Sequence, residues 1–128
     1  QPQVNARLAV KVGGFLPSAL VSFGVGTLVL ALLVLVSGRS AGLRGLTGAA
    51  WWELTGGAMG ALYVSATIVA YPRLGATAAL AAVIAAQLTT GLLLDHFGAF
   101  GFRHIALDWQ RVLGVVLLFA GAVLVFRS

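Results

Sequence analysis

Apolar residues run without an Asp, Glu, Lys or Arg over residues 18–36, 54–71, 74–94 and 112–126. A helix needs about 20 such residues to cross about 30 Å of hydrocarbon. The first three runs meet this on their own. The fourth meets it once Asp108 is taken as its N-cap, which extends the helix over 108–126. The pattern predicts an all-α integral membrane bundle. Pro17 suits the first turn of its helix, where a missing N–H is harmless. The segment 1–12, with Gln1, Gln3, Asn5, Arg7 and Lys11 and the break at Gly13 and Gly14, is too short to span and reads as the inner part of a helix. The expected architecture is therefore one transmembrane domain over 1–128: a partial first helix and four complete ones. Residues 71–75 are expected to be a tight connection. Residues 96–110, with Phe97, Phe100, Phe102 and Trp109, form the longest loop, amphipathic enough to lie along the interface.

Composition supports this picture. Of 128 residues, 60% are apolar and 9% charged, against roughly 25% charged in soluble domains. No run resembles a signal peptide, because none opens the chain behind a basic stretch. The net charge of +5 is spread singly over short loops, so no stripe exists that tracks a nucleic-acid backbone. There are no cysteines, which excludes disulfides and thiolate metal sites. His96 and His104 are expected in one loop with no third ligand, and they read as two solvated histidines. No nucleophile–base pair or phosphate-binding loop is present. Neither an enzyme nor a cofactor is expected.

The placement of the basic residues carries more information. If the spans alternate, Arg7, Lys11, Arg73 and Arg127 fall on one side, and Arg39, Arg44, Arg103 and Arg111 on the other. A Lys/Arg excess normally sets orientation. Four against four leaves it unset, so the chain is expected to insert both ways up and to pair with an inverted copy of itself. Inverted repeats are the scaffold of alternating-access transporters.

Small residues recur every fourth position in the spans. Ser18, Ser22 and Gly26 form one ridge, with Gly24 close by. Gly56 and Gly60 form a GxxxG, and Ala78, Ala82, Ala86 and Thr90 another ridge. Such residues let helices approach closely in lipid, where no hydrophobic effect drives association. Gly24, Gly26, Gly56, Gly60 and Ala86 are accordingly read as packing positions.

Polar groups inside the bilayer are the candidate site. Gln87 sits somewhat past the midplane of its span, either as a substrate contact or as an interhelical hydrogen bond. Tyr63 lies mid-span, and its hydroxyl needs a partner. Gln1 and Asn5 share a helix face. Thr89 and Thr90 are able to satisfy themselves on their own helix carbonyls. Asp95 closes its helix at the negative end of the dipole, so an arginine, a partner chain or a substrate cation should compensate it. Glu53 suits the positive end of the helix over 54–71, beside the interfacial pair Trp51 and Trp52. No charged residue lies deep in a span, which disfavours a central-carboxylate antiporter.

These residues resemble a known pattern. Gln1…Asn5-Ala6-Arg7-Leu8-Ala9, Val21-Ser22-Phe23-Gly24-Val25-Gly26-Thr27-Leu28, Leu74-Gly75, Gln87 and Asp95-His96-Phe97-Gly98 look like the YdcZ-like family of small bacterial membrane proteins, in the drug/metabolite transporter superfamily. The resemblance implies five helices per chain and an inverted-repeat transporter in the bacterial inner membrane. It also implies pairing as dual-topology homodimers, as heterodimers or as fused ten-helix proteins. It picks out Gln1, Asn5, Ser22, Gln87 and Asp95. One departure is Ala86, where the family pattern has glycine. The resulting expectation is an antiparallel homodimer that moves a small organic solute, preferably neutral and polar or amphipathic. Asn5, Ser22, Tyr63, Gln87 and Gln1 are its candidate lining. A passive channel and a non-transporting or heterodimeric partner subunit are the alternatives.

Overall fold

The computed structural model describes residues 1–101 and 103–128. They form five α-helices: α1 (Pro2–Val12), α2 (Phe15–Val36), α3 (Thr55–Leu74), α4 (Ala76–Phe97) and α5 (Trp109–Arg127). Short 3₁₀ segments cover Ser40–Gly48, Trp51–Leu54 and Ala99–Gly101. Four segments are long and apolar enough to cross a membrane: Phe15–Val36, Trp51–Leu74, Ala76–Phe97 and Trp109–Arg127.

Several helix ends differ from the sequence expectation. The α2 helix starts at Phe15, which places Pro17 in its first turn. The α3 helix does not stop at Tyr71 but continues through Pro72 and Arg73 to Leu74. A proline so near the end removes one backbone bond in the last turn and leaves the rest of the helix whole. The break comes at Gly75, whose φ of 79° and ψ of 157° are accessible in practice to glycine alone. The connection expected over five residues is thus a single one. At the other end, α4 runs on to Phe97 and is closed by Gly98 in the left-handed conformation, with its N–H donated to the Asp95 and Leu94 carbonyls. His96 therefore lies in the last helical turn and not in the loop. Its Nδ1 is buried without a hydrogen-bond partner among the described residues, and its ring centroid is 6.1 Å from that of His104. Phe102, assigned to the amphipathic loop, lies outside the described residues.

The chain forms two compact units, Gln1–Arg73 and Leu74–Ser128. In the first, α1 packs on α2, and Ala19, Val64 and Ile68 form a small core with Ala9 against it. Among the packing glycines, only Gly60 makes a close approach: a Cβ there would lie 3.5 Å from the Phe23 ring. Gly24, Gly26 and Gly56 face open space. In the second unit α4 packs along α5. Ala78 begins its ridge buried, whereas Ala86 and Thr90 are exposed; Ala79, Ala85 and Ala122 are the other buried alanines. Only 6% of the apolar window of α2, and 6% of that of α5, is buried within the chain. For these helices, in-chain packing covers little of the apolar surface, which is what lipid or another copy would have to cover.

Candidate functional site

The α1–α2 seam is the first place where polar residues gather. A proline at N1 starts α1 without wasting a backbone donor. Gly13 ends it in the left-handed conformation, and the Gly14 N–H reaches back to the Ala9 carbonyl at 2.9 Å. The chain then turns directly into α2. This reversal lays the Gln1–Asn5 face of α1 along Ser18 and Ser22, which are one turn apart. Gln1 Nε2 donates to Ser22 Oγ at 3.3 Å. The Ser18 hydroxyl, 0% exposed, donates to the Asn5 backbone carbonyl at 2.7 Å. Asn5 itself is 4% exposed, and its Nδ2 is buried with no hydrogen-bond partner among the described residues. An unpaired buried amide costs about 1–3 kcal/mol, so this donor is the most strained polar group of the seam. Gln1, Asn5 and Ser22 are thus brought together. Ser18 completes the set, although the sequence marks it only as a small residue in a ridge.

Gln87 and Tyr63 are placed differently. Each is exposed on its own unit, Tyr63 by 43%, and neither makes a side-chain hydrogen bond among the described residues. Thr89 and Thr90 do bond their own helix, to the Ala85 and Ala86 carbonyls at 2.8 Å each. Glu53 folds back to accept from the Ala50 N–H at 2.7 Å, ahead of α3.

The second polar group is at the end of the α4–α5 pair. The Asp95 carbonyl accepts from the Ile105 N–H at 2.8 Å, which pins the loop to the end of α4. Asp108 then caps α5, accepting from the Gln110 and Arg111 N–H groups at 2.6 and 3.1 Å. The capped first turn carries Arg111 up to Asp95, with Nη1 to Oδ2 at 3.1 Å and both side chains partly exposed (37% and 38%). Of the three compensations open to Asp95, the chain supplies the arginine. Arg111 was counted only as a loop anchor. The signal for its role was an uncompensated acid ending one helix and an arginine opening the next.

The ion pair borders a cavity of about 400 Å³ lined by Leu88, Gly91, Leu92, Gly114 and Val115. Gln87 is not part of this lining. It precedes Asp95 by eight residues, and at 3.6 residues per turn eight steps leave the two about 80° apart, not on one face. Leu88, seven before Asp95, takes that place. A second, purely apolar cavity of about 220 Å³ lies between Ala82, Ala85, Ala86, Phe119, Ala122, Val123 and Phe126. The methyl of Ala86 forms part of its wall. Among the described residues no three His, Asp or Glu side chains gather as a metal site would require.

The comparisons with known proteins agree with this membrane bundle. The family described as "Putative inner membrane exporter, YdcZ" matches residues 1–124. Over 77 residues, 60% of the chain, it is 40% identical to the inner membrane protein YdcZ of Escherichia coli (strain K12). That stretch spans about half (51%) of the relative's length. No solved structure matches the chain. Four membrane-length helices and a match over nearly the whole chain agree: the chain belongs to the YdcZ family of multi-pass bacterial inner membrane proteins.

Proposed function

We propose that the chain is one half of a small-solute exporter, working by alternating access as an antiparallel pair of identical copies inserted in opposite orientations. The feature that carries this reading is the placement of the eight Lys and Arg residues, which divide four and four if the spans alternate across the membrane. An unset orientation yields both orientations in one cell, and two opposed copies supply the inverted repeat that alternating access uses. The family's description as an exporter supports the transport part. The apolar surface that α2 and α5 leave uncovered is available to a second copy. The seam residues Gln1, Asn5 and Ser22, with Tyr63 and Gln87, are the proposed solute contacts. The unpartnered Asn5 amide is the donor a solute acceptor would satisfy.

The test is sidedness. The chain has no cysteine, so Ser128→Cys introduces the sole thiol. Intact cells are labelled with a membrane-impermeant thiol reagent. Labelling of about half the protein supports dual insertion. Labelling of all or none overturns the homodimer and makes the chain one side of a heterodimer or an accessory subunit.

A further inference from the structure

We propose that the cavity between α4 and α5 binds a compact zwitterion with an apolar body, of the size and charge pattern of an apolar α-amino acid. Three observations support this assignment. The first is charge geometry. Arg111 uses Nη1 on Asp95 Oδ2, and among the described residues the rest of its guanidinium and Asp95 Oδ1 have no further hydrogen-bond partner. A guanidinium carries five donors in a fixed fork, and a carboxylate accepts on both oxygens. A ligand ammonium fits the free carboxylate oxygen, and a ligand carboxylate fits the free guanidinium edge. The four charges then alternate, and no net charge enters the site. A ligand with a single charge would satisfy one partner and face a like charge on the other.

The second observation is the shape of the cavity. The pair sits at its rim, and the walls are Leu88, Leu92 and Val115. Leu88 lies two turns along α4 from Asp95, about 10 Å at about 1.5 Å per residue. That length and a volume of about 400 Å³ hold a side chain of leucine or phenylalanine size. The third is the pair of glycines. Gly91 on α4 and Gly114 on α5 both line the cavity, and a Cβ on either would meet nothing within 4 Å. Within the chain neither glycine makes a close helix contact, and the absence of a side chain at both leaves the groove open between α4 and α5.

Naming the ligand as cargo rests on the exporter reading above; the binding itself does not. The experiment is isothermal titration of the full chain in phosphatidylglycerol nanodiscs, which contain no zwitterionic lipid. The probes are L-phenylalanine, L-phenylalaninamide (no carboxylate) and 3-phenylpropionate (no ammonium). L-phenylalanine is expected to bind, and each analogue to bind about tenfold or more weakly, the scale of one hydrogen bond to a charged group. Gly91→Leu fills the cavity with a better helix former, so the protein is expected to keep its thermal midpoint and lose L-phenylalanine binding by about tenfold or more. Gly114→Leu does the same from the other wall. Absence of L-phenylalanine binding overturns the proposal, as does equal binding by 3-phenylpropionate or by both Leu variants. Intact binding without any flux in the same lipid would count against the exporter reading alone. Flux of another solute without L-phenylalanine binding would count against this site alone.

Discussion

The Ser18 hydroxyl is the tie between α1 and α2 whose contribution is best bounded by the structure. It is fully enclosed and donates to the Asn5 carbonyl at 2.7 Å. Ser18→Ala removes the donor and almost no volume. The carbonyl it leaves lies within α1 and keeps its place in the helical ladder, so no acceptor is orphaned. The loss is therefore that of an interhelical bond in a membrane protein, about 0.6 kcal/mol and at most about 1.7. Ser18→Val loses the same bond and adds a methyl group where no space exists, and overpacking alone costs about 1–3 kcal/mol. The expected order of stability is wild type, then Ser18→Ala, then Ser18→Val, the last down by roughly 2 kcal/mol or more. Reversible unfolding in mixed micelles titrated with sodium dodecyl sulfate, followed by tryptophan fluorescence, measures all three. If Ser18→Val is as stable as Ser18→Ala, the site is not enclosed and the α1–α2 seam is packed differently. If Ser18→Ala loses clearly more than about 1.7 kcal/mol, the single-bond accounting fails.

Asp108→Ala removes an N-cap with two bonds and is expected to destabilise α5 by about 1 kcal/mol. Faster hydrogen exchange at the Gln110 and Arg111 amides reads this directly. Gly75 and Gly13 separate two kinds of positive φ. Gly13, at φ 82° and ψ 21°, accepts Gly13→Asn with a small loss, because asparagine visits the left-handed region. Gly75→Asn and Gly75→Ala are both expected to cost about 1–3 kcal/mol. Open space surrounds the position of a Cβ at Gly75, so the penalty is backbone strain alone; equal melting points for Gly75→Asn and wild type would refute it.

Much of the local structure could be read from the chain. The Asp108 cap and the 19-residue α5 it begins followed from an acid placed ahead of an apolar run. The Thr89 and Thr90 bonds followed from the habit of hydroxyls in apolar helices of bonding their own carbonyls. Helix ends were harder. Proline at position 72 and acid–histidine at 95 and 96 look like terminators, but each lies within one turn of a true glycine stop, and a last turn tolerates both. Some of the candidate residues are brought together by one local reversal. Gln1, Asn5 and Ser22 meet because the two-glycine turn folds α1 directly onto α2. Arg111 was missed because its role depends on the path of a loop, pinned by Ile105 to Asp95, that no periodicity encodes.

Residue type, apolar run length and the distribution of basic residues were enough to establish a multi-pass helical membrane protein and to raise the question of dual orientation. These are properties of transfer from water to lipid, which act segment by segment and need no partner. What the polar residues do is a different kind of information. Whether Asp95 meets an arginine or a solute, whether Gln87 or Leu88 lines the cavity, and whether a glycine receives a ring or holds space open each depend on rotations of one helix against another. A rotation of about 100° per residue separates these outcomes. Sequence spacing sets the angle between two residues of one helix, but only packing sets which angle faces the neighbour.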